Sequence, residues 1–149
     1  MKIIKKIFLI VLALFTFVAC TSTVGFETNV APVKVSQQTV IVANYPENWA
    51  DAREILNTNL RYGGWKVTNM NFWKVEEINF KQRKETFLIT IDKLRQSGEG
   101  FFGGTLFDGN IRVYDLRTGK LIINYNLYKD ELYDATNGIV NALNSLVVK

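Results

Sequence analysis

The sequence from residue 105 to residue 128 reads TLFDGNIRVYDLRTGKLIINYNLY. Apolar residues alternate with polar ones on both sides of the turn-forming stretch DLRTGK at 115–120, as in strands that bury one face. The segment therefore predicts two antiparallel strands joined by a short turn. Within the first strand, Asp108-Gly109-Asn110 fits either a separate hairpin turn or a bulge in one long strand, and we favour the bulge.

The residues after this hairpin predict an amphipathic helix. Asp130 suits the position that caps the first turn, where a carboxylate also complements the helix dipole. Before the hairpin, residues 85–94 form another alternating run, which predicts a strand. The buried face expected for the C-terminal helix consists of residues that recur with helical period: Leu132, Ala135, Ile139, Ala142, Leu143 and Leu146.

The beginning of the domain predicts a strand, a helix and a second strand. Residues 38–44 are rich in β-branched side chains, which favour a strand. Asn48 can cap a helix that ends at Gly63-Gly64, since glycine tolerates the left-handed geometry of a C-cap. Residues 65–68 then open the next strand. The stripe expected to be buried on this first helix consists of Trp49, Ala52, Leu56 and Leu60.

In chain order these elements read β-α-β-β-β-β-α. We expect an α+β fold, with one mainly antiparallel sheet of about five strands and two amphipathic helices on one face. Residues 37–149 are predicted to form a single domain, because that length can bury one core without disulfides.

The first nineteen residues are typical of a secretory signal peptide. Lys2, Lys5 and Lys6 precede an uncharged run, IFLIVLALFTFVA, at residues 7–19. This run is too short for a membrane-spanning helix, which needs about 20 apolar residues. It fits the apolar region of a signal peptide.

The end of that segment, Phe17-Val18-Ala19-Cys20, resembles the lipobox of bacterial lipoproteins. The resemblance implies cleavage between Ala19 and Cys20 and acylation of the Cys20 sulfur, so that acyl chains anchor the mature chain in a membrane. The alternative is ordinary cleavage near Ala19, which leaves a free thiol. By the same resemblance, Thr21 favours the outer membrane in a Gram-negative cell. Residues 20–36 are predicted to be a flexible tether.

Composition narrows the chemistry that the chain can perform. It has no histidine and one cysteine, so it can form neither a histidine-based catalytic triad nor an internal disulfide. It has 18 Lys and Arg against 14 Asp and Glu, but three of the basic residues lie in the predicted signal peptide. The mature chain is therefore almost neutral, which argues against a nucleic-acid partner. We predict no enzymatic activity, no metal and no cofactor.

Two groups of aromatic residues are candidate binding features. Phe101 and Phe102 lie in the glycine-rich stretch GEGFFGG at 98–104 and are candidate contacts for a partner, unless they fold back over the sheet. This stretch matches G-x-G-x-x-G, but we expect it to join two strands, whereas a dinucleotide site needs a strand followed by a helix. Trp65, Phe72 and Trp73 are candidate linings of a ligand cavity, with an ordinary core as the alternative.

The stretches GTLF at 104–107 and IRVYDLRTGKLI at 111–122 resemble a hairpin of small bacterial envelope lipoproteins. In those proteins a strand that ends in D-x-x-T-G leads into a strand and then an amphipathic helix. The families of this kind are DUF4136-like lipoproteins, LpoB-like activators of penicillin-binding proteins and CsgG-like secretion lipoproteins. The resemblance implies a shared architecture over about residues 104–149, and it assigns no functional residues.

Together these features predict a lipid-anchored protein of the bacterial cell envelope. We expect it to act as a non-catalytic binding or assembly accessory for another envelope component, most simply a protein. The alternatives are a carrier of a small apolar ligand or lipid and a subunit of a secretion channel. The sequence leaves the partner, the membrane leaflet and the oligomeric state open.

Overall fold

The computed structural model describes residues 23–26, 32–34, 37–44, 50–71, 82–100 and 103–148 of the chain. A six-stranded sheet forms one layer, and two helices pack against one of its faces. The α+β class predicted from the sequence is confirmed. In chain order the elements are β1 (Thr23–Phe26), β2 (Val33–Lys34), β3 (Thr39–Asn44), α1 (Ala50–Tyr62), β4 (Lys66–Asn71), β5 (Phe87–Glu99), β6 (Thr105–Asp115), β7 (Lys120–Glu131), α2 (Leu132–Leu146) and β8 (Val147–Val148).

The sheet combines parallel and antiparallel pairs in the order β1-β7-β6-β5-β3-β4. β3 runs parallel to both β4 and β5; α1 is the crossover that a parallel β3–β4 pair requires. β5, β6 and β7 form an antiparallel meander, and β1 pairs antiparallel with β7. β2 and β8 form a separate parallel pair. β1 and β2 both lie inside residues 20–36, the segment that the sequence predicts to be a tether.

The main core lies between the two helices and one face of the sheet. Val40 and Val42 of β3 and Phe87, Ile89 and Ile91 of β5 belong to it. The buried faces predicted for the helices are confirmed, except for Trp49, which lies outside the described residues. The confirmed positions are Ala52, Leu56 and Leu60 in α1, and Leu132, Ala135, Ile139, Ala142, Leu143 and Leu146 in α2.

A smaller apolar cluster contains the alternate residues of the same strands. Ile41 and Ala43 of β3 contact Leu88 of β5 and Leu116 in the turn after β6. Successive side chains of a strand point to opposite faces, so β3 is buried on both faces. This is why residues 40–43 form a continuous apolar run, which is typical of an inner parallel strand.

The two helices run side by side in the same direction. Asn59 of α1 is hydrogen-bonded to Thr136 of α2. At the end of α1, Gly63 lies against Val140, where an added Cβ would be 2.5 Å from the valine Cγ1. Glycine at this position allows the close approach of α1 and α2.

β6 continues without a turn through Asp108-Gly109-Asn110, as the favoured interpretation predicts, but the extra residues lie on its neighbours. On β5, Lys93 and Leu94 together stand opposite the single residue Gly109. A Cβ at Gly109 would come within 3.0 Å of the Leu94 Cα. Glycine is therefore required in β6 because the bulge of the adjacent strand presses against it.

The second bulge is on β7. Phe107 pairs with Asp130 and Gly109 with Leu127, so that two residues of β7 stand opposite Asp108. One of them, Lys129, has a φ of 49°, and Lys93 in the β5 bulge has a φ of 52°. Both lysines therefore adopt the left-handed conformation, which non-glycine residues avoid at a cost of about 1–3 kcal/mol.

The predicted cap of the C-terminal helix is wrong by one residue. Asp130 belongs to β7, and its carboxylate accepts a hydrogen bond of 2.9 Å from the hydroxyl of Tyr125. Glu131 occupies the N-cap position of α2 and makes no side-chain capping bond. The pairing of β7 with β6 extends through Leu106 and Glu131, so the strand continues to the residue before the helix.

Candidate functional site

An open cleft of about 340 Å³ lies where α1 and the start of α2 meet the end of the β5–β6 hairpin. We call it the hairpin-end cleft. It brings together residues of five elements, which are α1, β5, β6, the last residue of β7 and the start of α2. Its lining residues are Ala52, Ile55, Gln96, Thr105, Phe107, Glu131, Leu132 and Tyr133.

The lining of the hairpin-end cleft is mainly apolar. Ala52 and Leu132 are buried members of the core, and Ile55 packs against that core while keeping part of its surface accessible. Phe107 supplies an aromatic wall from β6. Tyr133 is 59% exposed, which is unusual for a large aromatic side chain that also lines an apolar cleft. The arrangement can receive an apolar side chain from a partner.

Glu131 forms the polar edge of the cleft, next to the loop that joins β5 to β6. A Cβ at Gly104 would lie 2.5 Å from the Glu131 Oε1, so a larger residue at this position would require the carboxylate to move. The loop is closed by hydrogen bonds from the Gly100 N–H to the Gly104 carbonyl oxygen at 2.6 Å and from the Gly103 N–H to the Gly100 carbonyl oxygen at 2.9 Å. Gly103 has a φ of 86°, which favours glycine.

The candidate contacts Phe101 and Phe102 lie outside the described residues, but both of their flanks are described. Gly100 precedes them, and Gly103 and Gly104 follow and lead into Thr105, which lines the cleft. The loop joins strand to strand, as the sequence predicts. The loop therefore lacks the following helix N-terminus that a dinucleotide would need.

Trp65, a candidate cavity lining, lies in the helix–sheet core. It is 2% exposed, and its ring centroid is 5.7 Å from that of Phe87. Its indole Nε1 donates a hydrogen bond of 2.9 Å to the Oδ1 of Asn144 in α2, which satisfies the one polar group of the side chain. Phe72 and Trp73 lie outside the described residues, so an aromatic cavity shared with them stays a prediction. The predicted lipidation and cleavage residues, Cys20 and Ala19, also lie outside.

The D-x-x-T-G stretch forms the turn between β6 and β7. The Asp115 carboxylate accepts hydrogen bonds from the backbone N–H of Arg117 at 2.9 Å and from its Nε and Nη2 at 3.0 and 2.7 Å. Burial acts to raise the pKa of Asp115, but these hydrogen bonds outweigh it and hold the pKa below the usual value. Gly119 has a φ of 70° and completes the turn. These contacts fix the hairpin geometry.

Within the part of the chain that the structure describes, no group of three or more Asp, Glu, Cys or His side chains is arranged to hold a metal ion. None of the helices there has both the length and the apolar character needed to span a membrane.

The sequence did not single out Tyr133, Ile55 or Phe107 as parts of a site. Ile55 and Phe107 read as ordinary apolar residues of a helix and a strand, and only the tertiary arrangement brings them together. Tyr133 did carry a signal, because it is a large aromatic residue outside the apolar stripe of α2.

Comparisons with known proteins bear on the fold. One solved structure with a similar fold is TolB from Acinetobacter baumannii, at 15% sequence identity and a TM-score of 0.55. The fold is similar to part of TolB. The match covers 85% of this chain but 30% of TolB, so this chain spans less than a third of that protein's length. No protein-family profile and no curated protein sequence matches the chain.

Two weaker structural similarities come from other bacterial proteins. The PelC dodecamer from Paraburkholderia phytofirmans is 12% identical, with a TM-score of 0.47, and the match covers 87% of this chain and 100% of PelC. A minor lipoprotein from Acinetobacter baumannii is 11% identical, with a TM-score of 0.39, and the match covers 72% of this chain and 94% of the other. At these scores, neither similarity adds to the assignment of the fold.

Proposed function

We propose that this chain is a lipid-anchored protein of the bacterial cell envelope that binds another envelope protein and performs no chemistry of its own. The observation that carries the proposal is the hairpin-end cleft, in which the exposed Tyr133 lies beside an apolar surface. The loop that contains Phe101 and Phe102 begins and ends at glycines next to the edge of this cleft. The partner inserts an apolar side chain between Tyr133 and Phe107.

The anchor in this proposal is Cys20. The run at residues 7–19 and the lipobox-like stretch that ends at Cys20 support export and acylation of the cysteine. Two or more acyl chains give stable attachment to a membrane. An outer-membrane location, favoured by Thr21 in a Gram-negative cell, belongs to the same proposal.

The absence of histidine from the whole sequence supports a binding role. Histidine is the most frequent general acid or base near neutral pH, because its pKa lies close to 7. The described carboxylates with resolved shifts, Asp108 and Asp115, both have a lowered pKa and stay ionised. A general acid needs a raised pKa instead.

Cross-linking in intact cells tests this function. A short cross-linker should join the chain to one specific envelope protein, and the paired change Phe101→Ser/Phe102→Ser should reduce that product about tenfold. Tyr62→Ser is the matched control, because Tyr62 is an exposed tyrosine at the far end of α1. Equal yields of the cross-linked product from the parent chain, the Phe101→Ser/Phe102→Ser chain and the Tyr62→Ser chain would show that the loop does not contact the partner.

A further inference from the structure

A second open cleft, of about 490 Å³, lies over the two bulges that flank β6. We call it the bulge cleft. Its size falls within the range of about 300–1,000 Å³ that is usual for small-molecule sites, and most of its lining residues are polar or charged. The lining residues are Lys93, Arg95, Asp108, Gly109, Asn110, Asn126, Leu127 and Tyr128.

The charge of the bulge cleft is positive. Asp108 is the one acidic residue of its lining, and its carboxylate is already matched by the backbone N–H of Lys129 at 2.9 Å and by Arg95 at 3.3 Å. Arg95 keeps 78% of its side chain exposed and retains further donors. Within the described residues Lys93 makes no ion pair. The Nζ of Lys129 lies 5.7 Å from the ring centroid of Tyr128, which adds a third cation beside the cleft.

Amide donors complete the lining. Asn110 and Asn126 are neighbours in the pairing of β6 with β7. Neither side chain makes a hydrogen bond within the part of the chain that the structure describes. Each amide offers two N–H donors, so together with the cations they match a ligand that presents several anionic or carbonyl oxygens.

The predicted anchor lies close to this cleft. Thr23, the first residue of β1, pairs with Asn126, so their Cα atoms are about 5 Å apart. Two residues, Thr21 and Ser22, lie between Cys20 and Thr23, and even a fully extended chain spans only about 11 Å over these three Cα–Cα steps. Chain connectivity therefore limits the distance between the Cα atoms of Cys20 and Asn126 to about 16 Å.

We propose that the bulge cleft binds the phosphate-bearing head groups of anionic lipids in the membrane to which Cys20 is attached. The proposal rests on the anchor in the proposed function. Lys93 and Arg95 contact the phosphate, and Asn110 and Asn126 donate hydrogen bonds to its oxygens. Tyr128, an exposed aromatic residue at the rim, lies at the level of the head groups, where tyrosine is enriched. The cleft thereby orients the domain on the membrane surface.

The test uses the mature protein purified with its own anchor and reconstituted into vesicles of phosphatidylcholine alone or mixed with one quarter phosphatidylglycerol. Hydrogen exchange of the backbone is followed by mass spectrometry. Segments containing Lys93, Asp108 and Tyr128 should exchange several-fold more slowly in the anionic vesicles, whereas the segment containing Tyr62 should exchange equally in both.

Two matched variants identify the groups responsible. Lys93→Gln/Arg95→Gln should abolish the difference between the vesicles, since each basic residue near an anionic surface contributes about fivefold to binding. Arg61→Gln/Lys66→Gln removes two exposed cations at the end of α1 and the start of β4, away from the bulge cleft, and should leave the difference intact.

Three results would overturn the proposal: no protection from phosphatidylglycerol, protection that survives Lys93→Gln/Arg95→Gln, or equal protection by inorganic phosphate in phosphatidylcholine vesicles. The last result would indicate a site for soluble anions. Flotation with vesicles of phosphatidylcholine alone tests the anchor separately, because acyl insertion does not depend on head-group charge. A chain that fails to float would count against the proposed function, whereas a floating chain without the phosphatidylglycerol effect would count only against the cleft.

Discussion

The Nδ2 of Asn59 donates a hydrogen bond of 2.6 Å to the Oγ1 of Thr136 across the interface between α1 and α2. Thr136 in turn donates to the carbonyl oxygen of Tyr133 at 3.0 Å. Asn59 and Thr136 are both buried. Because water cannot readily reach them, losing either hydrogen-bond partner costs stability. This polar pair joins the two helices that form one side of the hairpin-end cleft.

Thr136→Val should lower the free energy of unfolding by about 1–3 kcal/mol, because it keeps the side-chain shape but leaves the buried Asn59 amide with only its longer contact of 3.5 Å to the Tyr133 carbonyl oxygen. Urea unfolding followed by circular dichroism measures the change. The double variant Asn59→Leu/Thr136→Val should recover part of this loss, since both polar partners are then apolar. Strictly additive losses from the two substitutions would contradict the coupling.

Gly63→Ala should destabilise the protein by about 1–3 kcal/mol, because the new Cβ would lie 2.5 Å from the Cγ1 of Val140. The thermal midpoint measures this loss. Adding Val140→Ala removes the clashing methyl group, so the double variant should be less destabilised than the sum of the two single changes. A Gly63→Ala chain as stable as the parent would show that α1 and α2 have room to move apart.

Asp115→Asn should lower the free energy of unfolding by an amount that depends on pH. The pKa of Asp115 is lowered in the folded state, so its carboxylate stabilises the fold above the unfolded pKa of about 4. That contribution is lost as the pH falls through the lowered folded value. We expect a deficit of about 1–2 kcal/mol at pH 7 that shrinks as the solution is acidified below about pH 4. Urea unfolding at pH 7 and at pH 3 measures both values.

The matched control for this prediction is Glu54→Gln, which changes an exposed carboxylate of α1. It should alter stability by less than about 0.5 kcal/mol at either pH. A deficit of Asp115→Asn that stays constant between pH 7 and pH 3 would contradict the assigned role of the ionised carboxylate.

Local sequence patterns predicted the helices and strands, because the buried residues of each element recur with the period of a helix or of a strand. The apolar stripe at Ala52, Leu56 and Leu60 requires a helix, and the alternation at Phe87, Ile89 and Ile91 requires a strand. The order of these elements then gives the α+β class. The sequence pattern does not predict that β3 runs parallel to β5, because that alignment depends on packing between distant segments.

The bulges show where sequence reasoning fails for a physical reason. Asp108-Gly109 looks irregular, yet the extra residues lie on the adjacent strands, at two lysines with positive φ. Lysine gives no sequence signal for that conformation. The hairpin-end cleft was hidden for a similar reason, since Ala52 and Phe107 meet only in the folded chain. The loop that carries Phe101 and Phe102 was predictable because glycines mark it directly.

Cys20→Ser should leave an unprocessed precursor that takes up no labelled fatty acid, because the substituted chain lacks the sulfur that is acylated. Metabolic labelling with an alkyne fatty acid, read on a gel together with the size of the chain, measures both effects. Thr21→Ser keeps the cysteine and should be labelled and cleaved like the parent. Normal labelling of the Cys20→Ser chain would contradict the anchor.

Site-specific photo-cross-linking in intact cells tests most directly whether an envelope protein binds at the hairpin-end cleft. A photoreactive phenylalanine analogue replaces Tyr133 in one strain and Tyr62 in another. These tyrosines are 59% and 88% exposed, and Tyr62 lies about 15 Å along α1 from the cleft residue Ala52. We predict one adduct of defined mass from position 133, which Phe101→Ser/Phe102→Ser weakens, and no such adduct from position 62. No adduct from position 133, or the same adduct in equal yield from position 62, would contradict the account.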